Sequence, residues 1–473
     1  MESLLVGLSA ARLLAACLLV LSYAALCAYF LRPLRRRATA SGAGTPGPTT
    51  ACVDATARDV TASATLVVHA SQTGFAEDLA RRTAQALSAA GTPTRLMSLR
   101  DLDETALRAA RRALFVLSTT GEGDAPDAAV SFIRRLMSSA PALPELQYAV
   151  LALGDREYRN FCAFGHAFDR WLRQAGASAL FDIIEVDDGD EGALRHWQDQ
   201  LRALGNDADR PDWTAPRYER WRLVERTLLN PGSAGEPCFH LVLQPQAGVT
   251  ARWRAGDIAE VDPHNSTWER AAPLPHREYS IASVPEDGAM HLLVRQTRRS
   301  DGAIGSGSGW LTRQAAPGAD VALRIRVNSN FHLPVDDRPL ILIGNGTGIA
   351  GLRALLKARR VAGQRRNWLI FGERQRACDY LYRADIEAWH EDGTIERLDL
   401  VFSRDQPQRR YVQHRLLECV ETVRAWVEQG ASIYVCGSLA GMAPGVHAAL
   451  TRILGAPCLD ALTADGRYRR DVY

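Results

Sequence analysis

The sequence predicts an α/β protein in which a doubly wound parallel sheet is followed by a β-barrel and then by a second α/β domain. Between residues 64 and 206, short apolar strands alternate with helical patterns, and a polar loop follows each strand. From Trp213 the apolar runs become short and alternating, which is typical of a barrel, and strand–helix alternation resumes near Leu340. A length of 473 residues also favours two or three domains over a single core.

Composition narrows the classes of function. The 56 basic and 54 acidic residues leave a formal net charge of +2, which favours neither a nucleic acid nor an acidic partner. The nine cysteines show no CxxC pair and no spacing with histidine that is typical of zinc, so we expect no metal site. Free thiols in a reducing compartment fit this pattern better than a disulfide framework.

The N-terminus contains an apolar segment, Leu13 to Leu31, whose 19 residues carry no charge. As a helix it would span about 28 Å, close to the hydrocarbon thickness of a bilayer. A cleaved signal peptide is the alternative, but bulky Tyr29 and Phe30 near its end favour a retained anchor. Arginine is sparse before the segment (Arg12) and dense after it (Arg32, Arg35, Arg36, Arg37). This asymmetry predicts a single-pass protein of the bacterial inner membrane with cytoplasmic catalytic domains.

Residues 1–37 are therefore predicted to form a transmembrane anchor. Residues 38–63 are rich in Ala, Thr, Gly, Ser and Pro and lack periodicity, so we expect a flexible linker.

The first strand, Thr65 to Ala70, leads into the turn Ser71 to Ala76, and helical spacing follows from Glu77 to Ala89. A glycine- and hydroxyl-bearing turn at a helix N-terminus can hold a phosphate, because its backbone N–H groups point at the anion. The turn lacks the lysine of a triphosphate-binding loop, so a phosphate monoester is favoured. Ordinary turn chemistry is the alternative.

Two further strands end in similar loops. Ala113 to Leu117 precedes the loop 118–126, and Tyr148 to Leu153 precedes the loop Gly154 to Cys162. The carboxyl ends of parallel strands share one rim of the sheet, where ligands bind. Tyr158 is placed to lie on a flat ring there.

The strand Arg277-Glu278-Tyr279-Ser280 is central to the second half of the chain. Because strand side chains alternate, Arg277 and Tyr279 project to one face and Ser280 to the other. An arginine that grips a diphosphate beside an aromatic ring suits a flavin dinucleotide, although an ordinary edge strand has the same pattern. The glycines and hydroxyls of Gly305 to Ser308 form a second candidate phosphate seat.

The last part of the chain carries a dinucleotide-binding pattern. Leu340 to Ile343 leads into GNGTGIA, a pyrophosphate turn at a strand–helix junction that contains Gly346 and Thr347. Further strands are predicted at Trp368 to Gly372, Leu398 to Phe402 and Ser432 to Gly437. Arginines that follow the Leu398 strand suit the extra phosphate of NADP. Ordinary surface charge explains them equally well, because nearly every basic residue of this chain is an arginine and Lys357 is its only lysine.

The segments SQTGFAE, STTGEGDAPD and LGDREYRNFC resemble the three FMN loops of the diflavin reductases, in order and at similar intervals. HREYSIAS, GSGSGWL, GNGTGIA, RRYVQ, YVCGS and RYRRDVY resemble the ferredoxin-reductase-like half of bacterial sulfite reductase flavoproteins. The resemblance implies a flavodoxin-like FMN domain at 64–206, an FAD-binding β-barrel at 213–335 and an NADPH-binding domain at 336–473.

By the same resemblance, residues are assigned to each cofactor. The FMN set is Ser71, Gln72, Thr73, Gly74, Phe75, Ala76, Ser118, Thr119, Thr120, Gly121, Leu153, Gly154, Asp155, Tyr158, Asn160, Phe161 and Cys162. The FAD set is Arg277, Tyr279, Ser280, Gly305, Ser306, Gly307 and Ser308. The NADPH set is Gly346, Thr347, Ser403, Arg404, Arg409, Arg410, Tyr411 and Gln413. Ser280, Cys436 and Asp471 would assist hydride transfer, and Tyr473 would cover the FAD ring.

The sequence departs from the family at several positions. Only about twenty residues separate Asp257 from Arg277, which leaves no room for the helical connecting domain of the relatives and predicts a shorter, more mobile arrangement of domains. The other departures are Thr120 for an aromatic residue, Gly351 for a proline, and Ser438 and Gly445 for acidic residues. Asp187 and Asp188 resemble the acidic loop of the family, in a register that the sequence leaves open.

The resemblance implies an NADPH-dependent flavoprotein reductase in which electrons pass from NADPH to FAD, then FMN, then an acceptor protein. The sequence carries no haem motif, so the acceptor is a separate partner. A membrane-linked haem or iron-reducing protein is the first expectation, because of the predicted anchor. The sirohaem subunit of a sulfite reductase is the alternative, and a non-catalytic membrane scaffold is a third interpretation.

Overall fold

Three sheets follow one another along the chain. The computed structural model describes residues 64–139, 141–205, 217–246, 249, 251–262, 276–298 and 302–473. The predicted anchor (1–37) and linker (38–63) lie outside these residues. We call residues 64–205 the N-terminal half and residues 217–473 the C-terminal half.

The first sheet is parallel and doubly wound, as predicted. Its strands are β1 (Thr65–Ala70), β2 (Thr94–Ser98), β3 (Arg112–Ser118), β4 (Gln147–Gly154), β5 (Ser178–Ala179) and β6 (Ile184–Asp187). They run in the order β2-β1-β3-β4-β5, with β6 also paired to β4. The chain winds outward on both sides of the β1–β3 pair, so the loops after these strands open into one crevice at the sheet edge.

Helices cover both faces of this sheet. They are α1 (Phe75–Ala89), α2 (Glu104–Ala109), α3 (Val130–Phe132), α4 (Ala163–Gln174) and α5 (Glu191–Gly205). Separate buried clusters lie on the two faces, one around Phe115 and Phe168 and the other around Leu79 and Trp197. Burial on both faces explains why the strand sequences are continuous apolar runs rather than alternating ones.

The second sheet is an antiparallel barrel. Its strands are β7 (Glu219–Leu228), β8 (Cys238–Pro245), β9 (Ile258–Asp262), β10 (Arg277–Ser280), β11 (Met290–Arg295) and β12 (Asp320–Arg326), and the short helix α6 (Ser306–Gly309) precedes β12. The order is β10-β9-β12-β7-β8-β11, and a bridge between Ile281 and Leu292 joins the two outer strands. Trp221, Leu241 and Leu323 fill the interior. The strands β9 and β10, which lie on either side of residues 263–275 in the sequence, are paired neighbours in the sheet.

The third sheet is parallel. Its strands are β13 (Leu340–Asn345), β14 (Asn367–Glu373), β15 (Arg397–Phe402), β16 (Ser432–Gly437) and β17 (Tyr468–Val472). Its helices are α7 (Ile349–Val361), α8 (Arg376–Asp379), α9 (Arg383–Glu391), α10 (Val412–Glu418), α11 (Val420–Glu428), α12 (Ala443–Leu454) and α13 (Ala456–Ala464). The order β15-β14-β13-β16-β17 places the C-terminal strand at the sheet edge beside β16.

The predicted location, a single-pass protein of the bacterial inner membrane, is wrong. Among the described residues no helix is long and apolar enough to cross a bilayer. The longest segments, α1 and α5, have 15 residues each. That length corresponds to about 22 Å, short of the ~30 Å of bilayer hydrocarbon. The predicted span itself, Leu13 to Leu31, lies outside the described residues.

Candidate functional site

The three loops at the edge of the first sheet enclose a cavity of about 440 Å³, which we call the first cavity. The predicted FMN residues that line it are Gln72, Thr73, Phe75, Ser118, Thr119, Thr120, Gly121, Leu153, Gly154, Asp155, Tyr158, Asn160, Phe161 and Cys162. Ser71, Gly74 and Ala76 lie in the same turn, where Ser71 Oγ accepts a hydrogen bond of 2.9 Å from the Gly74 N–H. The structure therefore brings together the loops that the sequence placed at one rim.

The backbone and polar groups of the first cavity fit a flavin mononucleotide. Gly74 adopts a left-handed φ of 88° immediately before α1, which leaves the N–H groups of the first helical turn available to an anion. Within the described residues Thr119 Oγ1 is buried without a hydrogen-bond partner, so a ligand polar atom would satisfy it. Tyr158 is 39% exposed at the rim, where a planar ring can stack on it.

Strain is concentrated at the same cavity. Two lining residues that are not glycine, Cys162 and Asp188, have positive φ values of 52° and 42°. Such conformations are held in place by surrounding structure and are common at functional sites. The structure also fixes the register of the acidic loop: Asp188 lines the cavity, while Asp187 Oδ1 accepts from the Arg156 N–H at 2.9 Å. Burial, with Asp155 nearby, raises the pKa of the Asp188 carboxyl.

A second cavity, of about 620 Å³, opens at the carboxyl edge of the third sheet. Every predicted NADPH residue lines it: Gly346, Thr347, Ser403, Arg404, Arg409, Arg410, Tyr411 and Gln413. Tyr473 and the departure position Ser438 line it as well. Within the described residues Gln413 Oε1 is buried without a partner, which again indicates a missing ligand atom.

The turn before α7 is packed so closely that only glycine fits. A Cβ on Gly348 would lie 2.0 Å from the Cys436 carbonyl oxygen, and Gly346 has a left-handed φ of 56°. This brings the start of α7 against the end of β16, next to Gly346 and Thr347, which line the second cavity. The cradle suits a pyrophosphate.

Sequence reasoning missed three charged residues of the second cavity, Arg295, Glu373 and Arg374. Arg295 comes from β11 of the barrel and is ion-paired with Glu373 at the end of β14. The sequence marks these residues only by their position at or just after the end of a buried strand. Because arginine is abundant throughout the chain, that position does not distinguish them.

The predicted FAD residues meet where β10 faces α6. A Cβ on Gly307 would lie 2.5 Å from Arg277 Cγ, so the absence of a side chain lets the arginine stem cross the helix start. Beside it, the Thr297 and Ser308 hydroxyls are 2.9 Å apart. One guanidinium, two hydroxyls and three glycines form a donor set that fits a diphosphate. Tyr279 lies on the same face as Arg277 and is half-buried against the barrel core.

On the opposite face of β10, Ser280 joins a buried cluster with Asp471 and Cys436. Ser280 Oγ donates to Asp471 Oδ2 at 2.8 Å, and Cys436 Sγ lies 3.7 Å from the same oxygen. Burial raises the pKa of the Asp471 carboxyl. Burial, with Asp471 adjacent, raises the pKa of the Cys436 thiol well above its ordinary value, so the sulfur keeps its proton. The three residues predicted to assist hydride transfer are thus in contact.

The last residues of the chain reach both cavities. In β17, Arg470 and Val472 line the first cavity, Asp471 belongs to the buried cluster, and the following Tyr473 lines the second cavity. Backbone bonds of 3.0 Å hold Tyr473 to Gly437 and Leu439, and the residue as a whole is half-exposed. The two cavities and the buried cluster of Ser280, Asp471 and Cys436 are therefore connected through β17 and Tyr473.

A carboxylate–histidine group beside β10 has the composition of a metal site. Glu260, His276 and Glu278 bring ligand atoms within 4.8 Å of one another. Arg326 binds both carboxylates, Glu260 at 3.1 Å and Glu278 at 2.5 Å. The guanidinium already supplies the positive charge that a cation would provide there.

Comparisons with known proteins agree with this architecture. The flavodoxin family matches residues 67–197, and the oxidoreductase NAD-binding domain family matches residues 342–448. A sulfite reductase (NADPH) flavoprotein alpha-component of Neisseria meningitidis serogroup A is 30% identical, with 92% of this chain and 92% of the relative covered. The protein of the same description from Vibrio cholerae serotype O1 is 29% identical over 86% of this chain and 87% of its own length.

Fold and site together define an NADPH-dependent diflavin oxidoreductase, whose cofactors are FMN, FAD and NADPH. The chain belongs to the family of sulfite reductase (NADPH) flavoprotein alpha-components. The match with the Neisseria relative extends over 563 positions, more than the 473 residues of this chain, so that relative contains residues without a counterpart here.

Proposed function

We propose that this chain relays electrons from NADPH bound in the second cavity to FMN bound in the first, and from there to a separate protein. Bound FAD and FMN would supply the redox chemistry, accepting a hydride and passing on single electrons. The observation that carries the proposal is the path of the chain from β17 to Tyr473: Arg470 and Val472 line the first cavity, Asp471 belongs to the buried cluster, and Tyr473 lines the second cavity.

The residues of the second cavity would bind and orient NADPH. Arg404, Arg409 and Tyr411 would recognise the 2′-phosphate, since guanidinium groups and a hydroxyl match its oxygens. The turn at Gly346 to Gly348 would hold the pyrophosphate at the start of α7. Tyr473 lies where a half-exposed ring can cover a flavin face and move aside for nicotinamide.

The buried cluster would position the hydride donor and hold a proton. Asp471 accepts a hydrogen bond from the Ser280 hydroxyl, and this bond fixes the orientation of the hydroxyl on β10. Cys436 stays a neutral thiol because burial disfavours its thiolate. Water is excluded, as Cys436 and Asp471 are 0% and 2% exposed.

Flavin content and turnover of the purified chain test the proposal. We expect FMN and FAD in equal amounts and NADPH-dependent reduction of cytochrome c. A protein that takes up neither flavin, or that binds both without reducing cytochrome c, would contradict the relay and support the scaffold interpretation.

A second, narrower candidate is the flavoprotein component of a sulfite reductase, with a sirohaem subunit as the acceptor. The descriptions of the relatives favour it, and the argument for a membrane-linked acceptor has lost its basis with the predicted location. Co-purification with a sirohaem protein and NADPH-dependent sulfite reduction by the pair would support this candidate. If the pair does not reduce sulfite while this chain still reduces cytochrome c, the electron relay would remain and its acceptor would be a different protein.

A further inference from the structure

We propose that the C-terminal half supplies one wall of the FMN site, so that both halves of the chain bind FMN. This inference rests on the proposed function, which makes the first cavity the FMN site. The cavity is not closed by the three FMN loops alone. Six residues of the C-terminal half also line it: His276, Glu278, Arg326, Leu439, Arg470 and Val472.

The arginines of the lining come from one half of the chain. Among the described residues that line the first cavity, the only arginines are Arg326 and Arg470 of the C-terminal half, which also contributes Glu278, whereas the loops contribute Asp124, Asp155 and Asp188. A phosphate monoester carries a charge of about −1.5 to −2 at neutral pH. Arg326 already pairs with Glu260 and Glu278, and Arg470 with Asp127, so a phosphate in this cavity would share guanidinium groups that the C-terminal half alone supplies.

The predicted phosphate turn is packed against the C-terminal half. A Cβ on Gly74 would lie 2.2 Å from the Val327 carbonyl oxygen and 3.3 Å from Asn328 Cα. The guanidinium carbon of Arg326 lies 5.9 Å from the centre of the Phe75 ring. The tip of the turn therefore contacts the segment that follows β12, and a phosphate held by the turn would lie close to this boundary.

A buried network connects the same turn to β17. The Asp127 carboxylate is 1% exposed and accepts two bonds from Arg470, the one from Nε at 3.1 Å. Gln72 Nε2 donates to Asp127 Oδ2 at 3.0 Å and to the Arg470 carbonyl at 2.8 Å, while Gln72 Oε1 accepts from the Asp127 N–H at 3.0 Å. Gln72 is also a lining residue, so its position depends on the docked β17.

Two further contacts bind the first turn of α1 to the C-terminal half. Ser329 Oγ donates to Glu77 Oε2 at 2.6 Å, and Arg324 lies 3.5 Å from Asp78. Together with the network they hold the halves together around the cavity. Because binding and docking then share the same contacts, FMN must favour docking as much as docking favours FMN.

The test is FMN affinity in the full chain after removal of FMN. We expect Arg470→Gln to weaken FMN binding about 5- to 150-fold, the usual range for coupled equilibria, measured by the fluorescence quenching of added FMN. Arg298→Gln is the matched control: this exposed arginine of the same half pairs with Glu236, and we expect no change in affinity.

Hydrogen exchange of the unsubstituted protein provides a second readout that does not depend on the variant folding. Added FMN should slow amide exchange both in residues 71–76 and at Val327 to Asn330. Equal affinity in Arg470→Gln and the unsubstituted protein, or unchanged exchange at Val327 to Asn330, overturns the inference while leaving the relay intact. Absence of FMN binding to the unsubstituted protein overturns the proposed function itself.

Discussion

At the scale of single residues, the proposed hydride transfer rests on a hydroxyl, a carboxyl and a thiol that are packed together in one buried cluster. Ser280, Asp471 and Cys436 come from three different strands, β10, β17 and β16. Leaving a buried hydrogen-bonding group without its partner costs about 1–3 kcal/mol. The 2.8 Å bond from Ser280 to Asp471 is therefore a sensitive point in the site.

We predict that Ser280→Ala lowers the rate of flavin reduction by NADPH about 10- to 100-fold, because the loss of one such hydrogen bond leaves Asp471 unsatisfied. Stopped-flow absorbance under anaerobic conditions measures this rate. Thr227→Ala serves as the control, since it removes an exposed hydroxyl–carboxylate bond to Glu225 on the same barrel. Equal rates for the two variants would contradict a role of Ser280 in hydride transfer.

The buried carboxyl also predicts a stability effect with a definite sign. Burial raises the pKa of Asp471 above 3.8, so the folded state holds a proton that the unfolded chain has released. The stability that Asp471 contributes by holding this proton is fully present below the ordinary pKa of an aspartate, and it is lost as the pH rises through the raised pKa of Asp471. Asp471→Asn should therefore be more stable to unfolding than the natural protein at neutral pH, and the difference should vanish toward pH 4, as measured by urea denaturation.

The opposite sign is expected at an exposed carboxylate. A hydrogen bond from Arg338 lowers the pKa of Asp336, so Asp336→Asn should be slightly less stable than the natural protein at neutral pH. If both substitutions shift stability in the same direction, burial is not the cause of the Asp471 effect.

At the scale of elements, the sequence predicted the strands that end in ligand loops and missed the strand that joins the sites. Thr65–Ala70 and Ser432–Gly437 are continuous apolar runs, which are readily recognised because both faces of a parallel strand are buried. By contrast, β17 reads YRRDV and carries three charged residues. Two of these charges have distant partners, Asp127 for Arg470 and Ser280 for Asp471, which no local pattern reveals.

The position Gly351, which the sequence singled out as a departure from the family, is likewise explained by its contacts and not by any sequence pattern. Gly351 replaces a proline in the first turn of α7, and a Cβ there would lie 3.3 Å from Cys436 Sγ. The resemblance supplied the cofactor residues; their mutual distances came only from the fold. It gave no indication that Arg295 and Glu373 pair across two sheets.

We predict that Gly348→Ala destabilises the turn at α7 and weakens NADPH binding. A Cβ there would meet the Cys436 backbone at 2.0 Å, and overpacking of this kind costs about 1–3 kcal/mol of unfolding free energy. Thermal unfolding and titration with 2′,5′-ADP measure the two effects.

The control for this prediction is Gly192→Ala in the first turn of α5. Its nearest neighbour would be a flexible carboxylate oxygen of Asp190 at 3.2 Å, so helix propensity should make the change neutral or stabilising. If Gly348→Ala is as stable as this control and binds 2′,5′-ADP normally, the close packing of the turn has no functional role.

At the scale of the whole molecule, the two halves meet directly. The N-terminal half contacts β12 and β17 through Gln72, Asp78 and Asp127. These direct contacts hold the two halves together, and among the described residues no separate helical domain lies between them. The mobility expected from the sequence stays a prediction.

The central claim is that electrons entering at the second cavity leave through the first. The most direct measurement is the NADPH-dependent reduction of ferricyanide and of cytochrome c by the same protein before and after selective removal of FMN. We predict that ferricyanide reduction persists, that cytochrome c reduction is lost, and that added FMN restores it. Cytochrome c reduction that continues at an unchanged rate without FMN would contradict the relay.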